Sequence, residues 1–403
     1  MPNYFVRMPS TDVRMDVFQA LASSRPLSNF ESIRTQPDVI IAVLDEDERK
    51  RISSAGGIIY EDVQFESFKP NTPDSQNGAD GASTVTTRLS LADVVDQIGC
   101  PAAWRTTRGR GATIAIVDTG ISPGLRELPT GRRSHFDPST RYHGQHWQDP
   151  DGHGSMCAAI AAGSKLGGGR YDGVAPEARV VSARSDLTSR DLTLIFDQLT
   201  QARAQGALTG PLVVSNSYGL RCCQSIGTLP EDHPFFTGIE AAVASGIVVC
   251  FAAGNNHVDL CNYDPAACHP NTIWGANSHD EVVCVGTVNR ALTNRDPATP
   301  HVNSSRGPGE YASKTVKPDC VAPTYGEVPW GSTYKTEAWW GTSGACPQVA
   351  GLAALILSVA PRLSPNRVGD IIRSTARPLQ GGPTCVGHGM IDCDAAVKAA
   401  QVA

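Results

Sequence analysis

Short apolar runs that alternate with helical stretches limit the fold of this 403-residue chain more than any other feature. Each run has four to six residues, mostly Val, Ile and Ala, as expected for strands covered on both faces. Segments with helical spacing lie between them, for example residues 191–205 and 235–244. The alternation predicts an α/β domain with a mainly parallel sheet over residues 89–403, with its ligand site beyond the carboxyl ends of the strands. The runs are residues 112–117, 180–183, 212–215, 247–252 and 282–285.

The first 68 residues have a different pattern, which predicts a small α+β unit. Strands are expected at 4–8, 39–44 and 58–68, and helices at 11–23 and 45–55. Residues 69–88 are dominated by Pro, Gly, Asn, Asp and Ser, a composition typical of a linker. The chain is therefore divided into an N-terminal unit (1–68), a linker (69–88) and an α/β domain (89–403).

Composition excludes several classes of function. Hydrophobic residues make up 40% and charged residues 18% of the chain, and the net charge is -6. A mildly acidic chain without a long Lys/Arg run is a poor candidate for binding nucleic acid or a membrane surface. No run approaches the ~18 apolar residues of a membrane span, so none is expected. No signal peptide is recognisable at the N-terminus. The interpretation is export, after loss of a leader or by a non-classical route, with a cytoplasmic protein as the alternative.

The twelve cysteines do not form a zinc or redox motif. Cys250 and Cys284 lie inside apolar runs and are interpreted as small buried hydrophobes. Cys261 with Cys268, and Cys385 with Cys393, could each close a short loop, and free thiols are an equal alternative.

Three polar residues stand at the ends of buried strands or the starts of apolar helices. Asp118 ends the run Ile-Ala-Ile-Val-Asp118-Thr-Gly, where a carboxylate is costly without a partner. His153, in Asp-Gly-His153-Gly-Ser, opens a small-residue apolar helix, and its flanking glycines allow close approach of backbone or substrate. Ser343, in Gly-Thr-Ser343-Gly, begins a long apolar helix whose N-terminus favours negative charge developing beside it. Taken singly, Asp118 could cap a turn, His153 could be structural and Ser343 could be an ordinary N-cap.

Asn255 follows Ala-Ala-Gly at another strand end, where its side-chain amide could donate a hydrogen bond to an oxyanion or simply belong to a turn. Together, the four blocks resemble the subtilisin (subtilase) family, in the family's order Asp, His, Asn, Ser. The resemblance covers roughly residues 95–400 and includes Gly173-Val-Ala-Pro and Ser304-Ser-Arg-Gly-Pro. Thr324 and Cys346 depart from the family pattern, and Cys346 lies one helical turn from Ser343.

The resemblance implies a serine endopeptidase with the triad Asp118, His153 and Ser343, and with Asn255 in the oxyanion hole. It implies no cofactor and no catalytic metal, while a structural calcium ion is not readable from the sequence. The implied partners are a polypeptide substrate and the chain's own N-terminal unit, in a monomer. The alternative is a catalytically silent binding protein on the same fold. The residues implied to contact substrate are Ser182 and Ala183 as an edge for strand pairing, and Ser217, Tyr218, Gly219, Ala252 and Gly254 as walls of the S1 pocket.

The N-terminal unit resembles the ferredoxin-like inhibitory propeptide of this family, with an unrelated accessory domain as the alternative. A propeptide of this kind would leave its C-terminal tail in the active site. Two aromatic residues three apart, Phe65 and Phe68, would then fill the S4 and S1 pockets, with the cut after Phe68. A cut within the linker, or none at all, remains open.

Overall fold

The computed structural model describes residues 2–22, 30–68, 89–221, 229–268, 270–289 and 298–403. The predicted linker, residues 69–88, lies outside the described residues. The remainder forms a small N-terminal unit and a larger α/β domain that contact one another.

The N-terminal unit is a four-stranded antiparallel sheet, in the order β2-β3-β1-β4, with two helices on one face. Tyr4 and Val6 pack under the helices, whereas Phe5, which alternates with them, faces the other way. Asp45 and Glu48 form a reciprocal capping box that starts the second helix. The elements are β1 Asn3–Arg7, α1 Thr11–Ala22, β2 Glu31–Ile33, β3 Gln36–Val43, α2 Glu46–Ser54 and β4 Ile58–Glu61.

The single strand predicted over 58–68 is wrong. β4 ends at Glu61, and a separate strand, β5 (Glu66–Ser67), leaves the sheet and pairs with the α/β domain. β2, a short strand at the sheet edge, was not predicted either, because three residues carry too little periodicity to be recognised.

The α/β domain has the predicted parallel sheet. Among the described residues six strands pair in the order β12-β11-β10-β8-β6-β7, and every pair is parallel. The strands are β6 Thr113–Asp118, β7 Arg179–Arg184, β8 Leu212–Asn216, β9 Tyr218–Gly219, β10 Val248–Ala252, β11 Val283–Val288, β12 Cys320–Pro323, β13 Gly326–Trp330 and β14 Thr333–Glu337. The helices are α3 Leu91–Gln97, α4 Cys100–Ala103, α5 His153–Ala162, α6 Ser189–Ala204, α7 Pro234–Ala244, α8 Thr342–Val359, α9 Pro365–Thr375, α10 Pro383–Val386 and α11 Cys393–Gln401.

Helices cover both faces of this sheet and divide the core into two layers. α5 and α8 pack on one face, and α6 and α7 pack on the other. α8 is long and apolar enough to cross a membrane by length and composition, but 89% of it is buried inside the protein. β6, β8 and β10 end at the same edge of the sheet, where α5 and α8 begin, and this edge therefore gathers the predicted site residues.

The N-terminal unit rests on α6 and α7 through what we call the docking face, formed by Arg7, Gln36, Tyr60 and Asp62. Asp62 accepts hydrogen bonds from Ser189 Oγ (3.0 Å) and the Arg190 amide (2.8 Å) at the start of α6. The other three side chains contact the segment that leads into α7. Arg7 donates to the Asp232 carbonyl oxygen (2.7 Å), Gln36 donates to the Pro234 carbonyl oxygen (2.9 Å), and the Tyr60 hydroxyl donates to Asp232 Oδ2 (2.7 Å).

Cysteine pairing differs from both short loops considered from the sequence. Cys268 is bonded to Cys385 across 117 residues, and Cys393 is a free thiol. The bond joins the segment after β10 to α10, because these two regions are neighbours in space although they are distant in sequence. Cys250 and Cys284 are buried, as expected.

Candidate active site

Asp118 and His153 meet at the carboxyl end of β6. His153 Nδ1 lies 2.8 Å from Asp118 Oδ1, and both side chains are buried. The same oxygen accepts the Thr119 amide at 2.7 Å. Hydrogen bonds to an ionised carboxylate stabilise its charged form, which explains how a buried strand end can hold Asp118. The ring of Trp330 stands edge-on to His153, with 6.2 Å between centroids.

Glycines on both sides of His153 permit this close packing. A Cβ atom on Gly154 would lie 2.1 Å from the Gly120 carbonyl oxygen, and one on Gly152 would lie 2.2 Å from Trp330 Nε1. Gly152 also has a φ of 94°, a conformation that favours glycine. The sequence Gly-His-Gly is therefore needed to bring α5 against the end of β6.

Ser343 lies in the first turn of α8 and faces the end of the N-terminal unit. Its Oγ donates to the Phe68 carbonyl oxygen at 2.9 Å and lies 3.2 Å from the Ser217 carbonyl oxygen. Cys157 packs between the predicted triad residues: its Sγ is 3.7 Å from Asp118 Oδ2, 4.0 Å from His153 Nδ1 and 3.6 Å from the Ser343 carbonyl oxygen. Asp118, His153 and Ser343 thus converge around one small buried thiol.

Asn255 points its amide at the same Phe68 carbonyl oxygen. Asn255 Nδ2 donates to it at 2.9 Å, while Asn255 Oδ1 accepts from the backbone amide (3.0 Å) and hydroxyl (2.9 Å) of Thr342. These two donors fix the orientation of the side-chain amide. Gly341 keeps the space open, since a Cβ there would lie 2.6 Å from Asn255 Nδ2 and 2.9 Å from the Phe68 oxygen.

Residues 64–68, which we call the tail, lie in the cleft as an added strand. β5 pairs antiparallel with β9, and the Phe68 amide donates to the Ser217 carbonyl oxygen at 3.2 Å. On the opposite edge, the Phe65 amide donates to the Leu187 carbonyl oxygen at 2.8 Å, and Gln64 bridges to Thr188. The tail therefore runs between two segments of the α/β domain and ends at Ser343.

The ring of Phe68 occupies a slot between two glycines. A Cβ on Gly219 would lie 2.4 Å from Phe68 Cζ, and one on Gly254 would lie 3.4 Å from the same atom. Gly219 belongs to β9, and Gly254 directly follows β10. These are the two walls that the sequence predicted for the S1 pocket.

Phe65 fills a second pocket, which contains two aromatic rings. Its ring lies edge-on to Tyr218 and Phe235, with centroids 6.0 Å and 5.1 Å away. Tyr218 is buried beneath it, and its hydroxyl donates to Asn216 Oδ1 at 2.8 Å. Burial raises the pKa of Tyr218 well above its usual value, so this hydroxyl stays protonated and acts as a donor.

Ser182 and Ala183 do not lie beside the tail, contrary to the prediction. Both belong to β7 and pair with β6 inside the main sheet, and Ser182 Oγ donates to the His146 carbonyl oxygen. The chain turns away after Arg184, and residues 187–189 supply the edge that the tail contacts. This edge was missed because the loop after β7 has no strand periodicity.

Two thiols lie close to the site. Cys346 was noted from the sequence, and its Sγ points toward β8, 3.5 Å from the Asn216 carbonyl oxygen. Cys157 was missed, although its position one turn after His153 was a usable signal. Burial raises the pKa of both thiols, that of Cys346 to about 11. Both are therefore protonated at neutral pH and are not nucleophiles.

Among the described residues, one group of His, Cys and acidic side chains has ligand atoms within 4.8 Å of one another: Asp118, His153 and Cys157. Asp118 and His153 already bond to each other, and the raised pKa of Cys157 makes it a poor thiolate ligand. The geometry therefore favours a paired acid and imidazole over a metal site.

Comparison with known proteins places this geometry in a family. The model of the subtilase family matches residues 109–389, which include all four residues discussed above. The chain belongs to the subtilase family. It is therefore a serine-type peptidase, and the predicted α/β fold with a mainly parallel sheet is confirmed as a three-layer, subtilisin-like fold.

Relatives of this subtilase carry consistent names. It is 30% identical over 323 residues to serine protease AprX of Bacillus subtilis, covering 73% of this chain and 67% of AprX. It is also 30% identical over 338 residues to mycosin-4 of Mycobacterium tuberculosis, covering 77% of this chain and 69% of the relative.

Solved structures show the same fold. Fervidolysin from Fervidobacterium pennivorans, described as a keratinolytic enzyme related to subtilisin, aligns with a TM-score of 0.67 at 18% identity. The alignment covers 98% of this chain and 61% of the fervidolysin chain. MycP1 with its N-terminal propeptide removed aligns with a TM-score of 0.56 at 24% identity, over 75% of this chain and 96% of that chain.

Proposed function

We propose that this subtilase is an endopeptidase that is made with its own inhibitor, and that it cleaves peptide bonds through an acyl-enzyme on Ser343. In this mechanism His153 removes the proton of Ser343 Oγ and later gives it to the leaving amine. Asp118 holds the imidazole through Nδ1, and the 2.8 Å contact supports that role. The buried carboxylate also stabilises the imidazolium that forms.

Asn255 is proposed to stabilise the oxyanion. A carbonyl oxygen gains negative charge when Ser343 attacks the carbon, and a donor already aimed at it lowers the barrier. Thr342 holds the amide of Asn255 in the donating orientation, so no reorganisation is needed as the charge develops. The N-terminus of α8 adds a favourable dipole at the same point.

One observation carries the proposal: the Phe68 carbonyl oxygen accepts hydrogen bonds from both Ser343 Oγ and Asn255 Nδ2. A peptide whose last carbonyl reaches both the nucleophile and the oxyanion donor is positioned as a cleavage product or a bound substrate. The tail therefore defines P1 as Phe68 and P4 as Phe65, and residues 1–68 act as an inhibitory propeptide. Aromatic P1 residues are the proposed substrate preference.

N-terminal sequencing of the purified chain tests this directly. The wild type is expected to begin at Lys69 after self-cleavage, whereas Ser343→Ala stays full length. The loss of hydrolysis should be about a million-fold, a magnitude known for subtilisin itself and not obtained from this chain. An uncut wild type would overturn the propeptide assignment, and a new terminus inside 70–88 would overturn Phe68 as P1.

Labelling with a fluorophosphonate distinguishes an enzyme from a silent binding protein on the same fold. The processed wild type should react at Ser343, and the Ser343→Ala variant should not. Absence of labelling in a processed, folded wild type would favour the silent protein.

A further inference from the structure

Asn277 joins the two walls of the slot that holds Phe68. It lies in a short 3-10 turn, Gly275–Ser278, and is almost fully buried. Its Nδ2 donates to the Tyr218 carbonyl oxygen and to the Ala252 carbonyl oxygen, both at 2.7 Å. One wall carries Tyr218 and the other carries Ala252, so a single side chain bridges the two walls.

The oxygen of the same side-chain amide, Asn277 Oδ1, is buried but has no hydrogen-bond partner among the described residues. Exchanging the oxygen and nitrogen would bring the amide oxygen against two carbonyl oxygens, so the orientation is fixed by the acceptors. A buried carbonyl without a donor is unfavourable, and a ligand that supplies a donor gains free energy there.

The amide lies next to the para position of the Phe68 ring. A Cβ on Gly219 would lie 2.4 Å from Phe68 Cζ and 2.8 Å from Asn277 Nδ2. Because both atoms are that close to one point, they are at most 5.2 Å apart. A hydroxyl on this ring carbon, as in tyrosine, would lie at the same end of the slot as the Asn277 amide.

We infer that Asn277 is a specificity-determining residue that favours tyrosine over phenylalanine at P1, with its Oδ1 accepting a hydrogen bond from the phenol. The inference rests on the proposed function, since it concerns the P1 pocket. The neutral phenol donates and the amide oxygen accepts, so the pair needs no charge and no metal. The Nδ2 bonds hold the pocket for any aromatic residue, and only Oδ1 distinguishes the two rings.

Peptide substrates that differ only in P1 Tyr or Phe provide the first test. The processed wild type should cleave the tyrosine peptide with a kcat/KM about threefold to tenfold higher, as expected for one hydrogen bond to a neutral group. Asn277→Leu should lower both values, because the walls lose their link, and should bring the ratio close to one. Ser278→Ala is the matched control in the same turn and should keep the wild-type ratio.

A second test does not depend on turnover. In the full-length Ser343→Ala chain, Phe68→Tyr should increase protection of the tail amides against hydrogen exchange about threefold to tenfold. The increase should vanish when Asn277→Leu is added, which is a double-mutant cycle between positions 68 and 277. If Asn277→Leu does not fold, Asn277→Ser takes its place.

The two tests separate the inference from the function on which it rests. If neither peptide is cleaved, the proposed function fails, while coupling between the Phe68→Tyr and Asn277→Leu substitutions would still support the role of Oδ1. If cleavage is normal but the wild-type ratio is one and the cycle is additive, the inference about Asn277 is overturned.

Discussion

The docking face and the tail of the N-terminal unit bind the same domain by different means. The docking face uses side chains, such as Tyr60 on Asp232 and Asp62 at the start of α6. The tail uses backbone pairing with β9 and two aromatic rings in pockets. Backbone pairing accepts many sequences, whereas the pockets accept few. Both regions therefore contribute affinity, but only the pockets of the tail report what the active site recognises.

Removing the amide of Asn255 should have the largest effect, because its contact with the N-terminal unit is to the tail, through the Phe68 carbonyl oxygen. Asn255→Ala is expected to lower kcat by about 10²–10³-fold, the magnitude known for the equivalent loss in subtilisin. Self-cleavage after Phe68 should slow by a similar factor, while amide exchange in β1 and β4 stays unchanged. Asn256→Ala is the matched control, since Asn256 Nδ2 donates to the Thr272 carbonyl oxygen instead of to Phe68. Equal losses in both variants would contradict the role given to Asn255.

Acidification should weaken the docking face. His233 lies between the rings of Phe5 and Tyr60, with centroids 5.1 Å and 5.5 Å away. Burial, with a smaller contribution from Arg7, lowers its pKa to about 4, against opposing effects of the Glu61 carbonyl and Asp232. Histidine in solution has a pKa of about 6.5, so the undocked state binds more protons between pH 6.5 and 4. Docking is therefore strongest above pH 6.5 and loses at most about 3 kcal/mol as the pH falls toward 4, because part of the burial of His233 comes from its own helix.

This pH dependence can be tested by measuring hydrogen exchange of the tail and of β4 as a function of pH in the full-length Ser343→Ala chain. His233→Asn retains a capping side chain for α7 and should flatten the profile between pH 6.5 and 4. Asp62 has the opposite pH dependence, because burial raises its pKa. Its contribution to the free energy of docking is therefore complete below the usual pKa of about 3.8 and is lost as the pH rises through the raised pKa. A profile that stays steep in His233→Asn would show that another group is responsible.

The active site with its tail and the docking face also differ in how much of each could be predicted from the sequence. Asp118, His153, Asn255 and Ser343 stand in short blocks at strand ends and helix starts, so their convergence follows from the parallel sheet. The position of the tail was predicted from two aromatic residues three apart, Phe65 and Phe68. These patterns are local, and the structure brings the predicted residues together.

Contacts between distant segments could not be predicted. The docking face pairs residues more than 100 positions apart, and nothing in the strand pattern of β4 identifies Asp232 as the partner of Tyr60. The edge at residues 187–189 depends on how the loop after β7 leaves the sheet. The Cys268–Cys385 bond depends on the same kind of long-range folding. Asn277 lies in a Gly-Ala-Asn-Ser turn whose sequence is typical of any loop.

Narrowing the Phe68 slot should act on the tail with a smaller effect than loss of Asn255. Gly219→Ala would place a methyl group 2.4 Å from Phe68 Cζ, so the ring must move or leave. Overpacking of this kind costs about 1–3 kcal/mol, which lowers kcat/KM for aromatic P1 peptides by up to about a hundredfold. Peptides with P1 Ala should be affected far less. Gly131→Ala is the control, because a Cβ there meets nothing within 4 Å.

The smallest effect should come from Tyr60→Phe, which removes one hydroxyl from the docking face. The hydroxyl donates to Asp232 Oδ2 at 2.7 Å, and burial together with this bond raises the pKa of Tyr60 to about 12. The Asp232 side chain is 58% exposed, so water replaces the lost donor and no buried charge is left unpaired. Docking should weaken by about 0.5–1.5 kcal/mol, which lowers the protection of β4 amides against hydrogen exchange threefold to tenfold.

Tyr4→Phe is the matched control, because Tyr4 lies under the helices on the opposite face of the sheet. In the full-length Ser343→Ala chain, the gain in tail protection that Phe68→Tyr produces should be the same with either variant added, since neither touches the tail. A change in that gain would mean that the docking face and the tail are coupled, and the separation of the docking face from recognition would fail.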